Sequence, residues 1–199
     1  MFHHINGLVS DLAPNFAIIE CGGVGFKIIV TSNTLSHLTL GEKRKLYICE
    51  NIREDAFDLY GFIDERERYC YELLLGVSGV GPKAAISILS VTSPETFAMA
   101  IINDNEKALT AATGIGKKIA QRILLELKDK IAKATGDLII DREPDYVGMD
   151  GSSKLTNAAS ALSVLGYSNT EIATSLNGID VEKMELEDIV KVALKKMLK

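Results

Sequence analysis

Leu74-Leu75-Gly76-Val77-Ser78-Gly79-Val80-Gly81-Pro82-Lys83-Ala84-Ala85 and, 35 residues later, Leu109-Thr110-Ala111-Ala112-Thr113-Gly114-Ile115-Gly116-Lys117-Lys118-Ile119-Ala120 are two copies of one pattern. Leucine, a smaller apolar residue, glycine, a branched apolar residue, glycine and alanine recur in step. The match continues through Ile88 with Ile123 and Leu89 with Leu124, and Lys83 aligns with Lys118. Self-similarity at a fixed offset marks one supersecondary unit used twice. The paired glycines permit backbone angles closed to other residues and leave no side chain between backbone and ligand. Val80 and Ile115 between them plug each turn into the space between its two helices. Ala85 and Ala120 let those helices approach closely. The helix that follows begins with unbonded N–H groups aimed at one point, a ready-made phosphate site. Lys83, Lys117 and Lys118 lie in or beside that first turn. Two such helix–hairpin–helix units in tandem are expected to grip both backbones of a duplex across a minor groove, giving affinity without base reading.

On either side of the repeat the pattern changes. Residues 1–63 read as strands: about 2–12, then Asn15–Cys21 and Val24–Thr31 joined by Gly22-Gly23, then Lys45–Arg53 and Ala56–Ile63 joined around Glu54-Asp55. A short helix over 32–38 falls between the third and fourth strands, the layout of an OB-fold barrel. Helices are expected over about 66–77, 82–89, 94–103 and 104–112, the last with Asp104 as N-cap, and the longest over about 116–134. There Ile119, Ile123, Leu127 and Ile131 recur every fourth residue. Residues 137–153, rich in Asp, Gly and Ser, read as an acidic flexible linker, and 154–199 as three short helices broken at 166–168 and 177–178. The expected class is therefore α+β and multidomain: an OB-fold barrel over 1–63, a tandem helix–hairpin–helix domain over 64–136, the linker, and a three-helix domain over 154–199.

A formal net charge of −5 argues against nucleic acid only if the charge is spread evenly. It is not. Between Gly114 and Lys133, Lys117, Lys118, Arg122, Lys128, Lys130 and Lys133 face only Glu126 and Asp129, while acidic residues crowd 137–150 and 182–188. A basic segment inside an acidic chain suits a local DNA footprint. With 47% hydrophobic and 25% charged residues the chain reads as an ordinary globular protein. No apolar run approaches the ~20 residues of a membrane span. Met1–Asn6 lacks a signal-peptide pattern. Cys21, Cys49 and Cys70 form no C-x-x-C pair, so they are expected as buried thiols in a reducing cytoplasm. Neither glycine turn fits a nucleotide loop. Lys118 stands where a P-loop needs Ser or Thr, and neither turn has the third glycine of a dinucleotide fingerprint.

The whole chain resembles the RuvA family of Holliday-junction branch-migration subunits. The resemblance rests on Ile52-Arg53-Glu54-Asp55-Ala56 followed by Leu59-Tyr60-Gly61-Phe62, on the two glycine hairpins, and on Leu165-Gly166-Tyr167 in a small helical domain after an acidic linker. It implies a four-fold symmetric homotetramer, one or two per junction, that holds four-way DNA open and flat. It implies DNA contacts at Gly79, Val80, Gly81, Lys83, Gly114, Ile115, Gly116, Lys117, Lys118, Arg122 and Arg53. It makes Glu54 and Asp55 an acidic pin at the junction centre, where carboxylates repel converging phosphates. It implies that Leu165, Gly166 and Tyr167 meet a RuvB-type hexameric ATPase, with a RuvC-type resolvase as a further partner. Neither cofactor nor metal is expected, ATP being consumed by the motor. Asn6 departs from the Arg or Lys that many relatives carry at that position.

The rival class is a DNA-repair enzyme, a glycosylase or nuclease, that uses the same hairpins for grip. Such a nuclease needs clustered carboxylates or histidines. Asp129 lies between Lys128 and Lys130 on a continuing helix and reads as a solvated charge. His3 and His4, adjacent on a predicted strand, are expected to point to opposite faces. Glu54-Asp55 alone is a weak magnesium site.

Overall fold

The computed structural model describes residues 2–139, 149–181 and 184–197. Five strands, β1 (His4–Ala13), β2 (Phe16–Cys21), β3 (Val24–Val30), β4 (Lys43–Arg53) and β5 (Ala56–Phe62), close into a barrel in the order β1-β2-β3-β5-β4. Neighbours are antiparallel except β3 and β5, whose parallel pairing of Ile28 with Leu59 and Val30 with Gly61 closes the ring. Alternate residues fill the interior, among them Val9, Ile19, Ile28, Leu46 and Ile48. Helix α1 (Ser32–Ser36) lies between β3 and β4, where the expected OB-like layout puts it.

The outer face of β5 continues into the helical half. Tyr60 stacks on Tyr71 of α2 (Glu65–Leu75) with ring centroids 5.4 Å apart, and Phe62 meets the same ring at 4.9 Å. Glu67, fully buried, ties the two halves: Thr31 Oγ1 and Thr34 Oγ1 each donate to its carboxylate at 2.5 Å, and Asn33 Nδ2 donates at 3.2 Å. A buried carboxylate is tolerable only when its lone pairs are satisfied in this way. Then follow α3 (Pro82–Val91), α4 (Pro94–Ile102), α5 (Glu106–Thr110) and α6 (Lys117–Ile139). The last group is α7 (Met149–Val164), α8 (Asn169–Leu176) and α9 (Leu186–Met197). Helix α7 packs on α4 and α6, so the C-terminal helices share one continuous apolar core with the hairpin helices.

Three local expectations are corrected. Asp104 is not the cap of α5. It adopts a left-handed φ of 51° and pairs with Lys128, while Asn105 caps the helix by accepting from Ala108 N at 3.2 Å. His3 precedes the strand that starts at His4, so strand alternation does not separate the two rings, which meet edge to face with centroids 5.5 Å apart. The linker assigned to 137–153 overlaps two helices, because α6 runs on through Gly136 to Ile139 and α7 starts at Met149. An interior glycine costs a helix only about 1 kcal/mol, and no proline intervenes before Pro144. The remainder of that stretch, 140–148, lies outside the described residues.

Cys70 is wholly buried, which pushes its thiol up, whereas Cys21 and Cys49 are half-buried. Burial and the neighbouring Glu72 carboxylate push Cys49 up to about 12. Among the described residues no single helix is long and apolar enough to cross a membrane.

Candidate nucleic-acid interface

The two repeat copies fold alike, atom group by atom group. In the first, Val77 N donates to Leu74 O at 3.0 Å, Val80 N to Val77 O at 3.1 Å and Ala85 N to Gly81 O at 3.0 Å. In the second, Ala112 N donates to Leu109 O at 3.1 Å, Ile115 N to Ala112 O at 3.1 Å and Ala120 N to Gly116 O at 3.0 Å. Val80 and Ile115 are each 6% exposed, as expected of plugs, and Ala85 and Ala120 are buried between helices. Gly79 and Gly114 hold φ of 85° and 83°, a left-handed conformation that side chains disfavour. The turn itself therefore requires the first glycine of each pair.

The second glycine has another reason. Gly81 sits at φ −97° and ψ 175°, extended backbone open to any residue, and a Cβ built on it meets nothing within 4 Å. A Cβ on Gly116 also meets nothing within 4 Å. Neither conformation nor crowding demands glycine at Gly81. Its effect is to leave the start of α3 bare. Helices α1, α2, α4, α5 and α8 are all capped by a side chain, those of Thr31, Asp64, Ser93, Asn105 and Ser168, each accepting from the amide three residues on. Gly81, the N-cap of α3, makes no side-chain cap bond. Unpaired N–H groups at a helix start carry partial positive charge and suit an anion. Lys83, Lys117 and Lys118 stand exposed beside these two starts.

Other candidate residues lie apart or are differently engaged. Arg122 is half-buried, and its Nη1 donates to Ser78 O of the first hairpin at 3.2 Å. Arg53 is exposed at the end of β4 and pairs with Asp58 at 3.1 Å. Glu54 and Asp55 form the exposed two-residue turn between β4 and β5, closed by the Arg53–Ala56 pair. At the same end of the barrel Phe2, Phe26 and Phe57 cluster, with ring centroids 5.9 and 6.3 Å from Phe2, and Phe57 is paired with the 69%-exposed Ile52.

The stretch 165–167 is unevenly exposed, with Gly166 open to solvent. Leu165 is 2% exposed and Tyr167 is half-buried. The three residues end α7 in a reciprocal cap: Gly166 N donates to Ser163 O at 3.0 Å and Tyr167 N to Leu162 O at 3.3 Å, with Gly166 at φ 86°. Apolar residues around such a cap fold back onto the helix. A Cβ on Gly166 would stand 3.0 Å from the Tyr69 ring of α2.

Sequence reasoning missed Ser87, Glu126 and Lys130. Ser87 Oγ donates to Thr113 O at 2.9 Å, Glu126 Oε2 accepts from Ser78 N at 3.3 Å, and Lys130 Nζ donates to Gly76 O at 3.3 Å. The available signal was register, since Ser87 stands 35 residues before Arg122. Among the described residues no group of three or more His, Cys, Asp or Glu side chains is placed to hold a metal. Asp129 is exposed on α6, as a solvated charge would be.

A barrel carrying two matched glycine hairpins, each opening onto a helix, defines a tandem helix–hairpin–helix protein. Family models match along most of the chain: the RuvA N terminal domain over residues 1–61, a SAM-like helix-hairpin-helix tandem over 71–129, and the RuvA C-terminal domain over 153–198. Relatives named Holliday junction branch migration complex subunit RuvA include one from Acetivibrio thermocellus, 46% identical over 98% of both chains. Another, from Clostridium botulinum strain Alaska E43, is 44% identical over all of both chains. A third, from Ruminiclostridium cellulolyticum, is 42% identical over 99% of this chain and 100% of its own. The chain belongs to the RuvA family.

Proposed function

We propose that this chain is the non-catalytic, junction-binding subunit of a branch-migration complex in recombination and repair. The observation that carries the reading is the pair of matched hairpins, each with an uncrowded second glycine ahead of its helix, with the N-cap of α3 making no side-chain cap bond. Backbone amides of Gly79, Gly81, Gly114 and Gly116 and of the first turn of α3, Ala84 among them, helped by the side chains of Lys83, Lys117 and Lys118, take phosphates. Amides read no bases, so binding follows DNA shape rather than sequence. Arg122 and Arg53 add positive charge beside this surface.

A homotetramer is supported by the apolar end of the barrel. Phe57 and Ile52 are more than half exposed beside the acidic turn, a surface that further copies of the chain would cover. Four copies of Glu54 and Asp55 then meet near the symmetry axis and hold the crossover open by repelling its phosphates. The motor is a RuvB-type hexameric ATPase, which consumes the ATP. It docks through Leu165, Gly166 and Tyr167, of which Gly166 is exposed and Tyr167 half-buried beside Tyr69 of α2. A RuvC-type resolvase is a further partner of the assembled complex. The chain needs no cofactor of its own. Competition between a four-way junction and linear duplexes of several sequences tests the reading. The junction should win regardless of base sequence, and equal affinity for both shapes would defeat it.

A further inference from the structure

The repeat makes a reciprocal contact that neither hairpin could make alone. Ser78 and Thr113, 35 residues apart, occupy the same place in the two copies, just ahead of the first glycine. Ser87 and Arg122 also occupy one repeat position. In the fold they cross over. Arg122, on the helix of the second copy, holds the carbonyl of Ser78 at 3.2 Å, and Ser87, on the helix of the first, holds the carbonyl of Thr113 at 2.9 Å. The arrangement has the form of a local two-fold: each helix grips the other copy's hairpin at the equivalent atom.

The first hairpin is held further. Arg122, Glu126 and Lys130 follow at every fourth residue along α6 and so lie in one stripe. They meet nearby backbone groups of the first hairpin: Ser78 O, Ser78 N and Gly76 O. Both backbone polar groups of Ser78 are thus fixed from the side of α6. The next residue, Gly79, is touched there by Ile119 and Arg122, each 3.5 Å from where a Cβ would lie.

We propose that Ser87, Arg122 and Glu126 are positioning residues that lock the two hairpins at one separation, so that both helix starts meet phosphates together. The proposal rests on reading the hairpins as DNA contacts. It also accounts for Glu126, an acid in the most basic segment of the chain. Beside DNA its charge is unfavourable, and its use is as the acceptor for Ser78 N. Arg122 gives a blunt test, since removing it deletes a positive charge along with the clamp. Glu126 and Ser87 separate the two effects.

The experiment uses the full chain. Backbone amide exchange at Ser78 is followed in the free protein, and binding to a fluorescent four-way junction is titrated, for wild type, Glu126→Ala, Glu126→Gln and Ser87→Ala. If charge alone mattered, Glu126→Ala and Glu126→Gln would bind equally and more tightly than wild type. The clamp separates them. Glu126→Ala should exchange Ser78 faster and bind the junction about fivefold more weakly, the worth of one net hydrogen bond. Glu126→Gln keeps an acceptor oxygen and should bind as tightly as wild type or slightly more so. Ser87→Ala, which changes no charge, should weaken binding by a similar factor. Thermal melts confirm that each variant is folded. Tighter or unchanged binding by Glu126→Ala, or unchanged exchange at Ser78, overturns the clamp. Wild-type protein that fails to bind junctions, while Glu126→Ala still speeds Ser78 exchange, would instead overturn the reading of the hairpins as DNA contacts.

Discussion

Replacing Gly81 by serine should strengthen the fold and weaken the function. The backbone there, at φ −97° and ψ 175°, already has N-cap geometry, and the space a side chain would enter is open. A hydroxyl at that point can accept from the amide of Ala84, as Ser93 accepts from Thr96 N at 3.2 Å at the start of α4. Serine exceeds glycine as an N-cap by a few tenths of a kcal/mol. For a chain of this size that raises the melting temperature by about 1 °C. The same bond occupies an amide that phosphate is proposed to use. A hydrogen bond to a charged group is worth roughly 1.5–3 kcal/mol, so junction affinity should fall about tenfold or more. Gly81→Asp places a formal charge at the same point and should weaken binding further. Calorimetry with junction titration on the same preparations reads both quantities. A variant that melts higher and binds junctions as tightly as wild type would show that the start of α3 does not face DNA.

Lys118→Ala should weaken junction binding and lower the slope of log affinity against log salt by about one, since one phosphate contact is lost; titration at several salt concentrations decides, and an unchanged slope with unchanged affinity would place Lys118 away from the phosphates. The double change Glu54→Gln with Asp55→Asn keeps the turn and removes its repulsion. Junction binding should hold or tighten while the preference for junction over duplex falls, and markedly weaker binding by a folded protein would contradict the pin. Tyr167→Ala should leave junction affinity intact and reduce stimulation of the motor's ATPase; full stimulation would move the docking site elsewhere.

The repeat was legible in sequence because glycine has few uses. At Gly79 and Gly114 it permits a left-handed turn, and a second glycine two residues on, with apolar residues at matched spacing, leaves few alternatives. The barrel was legible from strand runs and the Gly22-Gly23 turn. What escaped depends on contacts between segments far apart in the chain. Glu126 looked like one acid among lysines, and only the fold shows its bond to Ser78, 48 residues away. Asp104 was the expected cap of α5, and only the fold shows it pairing with Lys128 while Asn105 caps the helix. At Leu165-Gly166-Tyr167 the resemblance implies a docking surface, and only the fold shows how far each side chain is buried. The cap bonds to Leu162 and Ser163 turn Leu165 inward. The linker composition of 137–153 did not foretell helix on both sides, since Gly and Ser lower helix propensity without forbidding it.

The central claim is that backbone grip at the hairpins, with repulsion at Glu54 and Asp55, holds a four-way junction open. Energy transfer between dyes on the ends of adjacent arms measures this directly. In magnesium a free junction stacks its arms in pairs, so neighbouring ends give unequal distances. Saturating protein should bring all four neighbouring distances to one value, for junctions of unrelated sequence. Persistence of the unequal, stacked pattern at saturation would contradict the account.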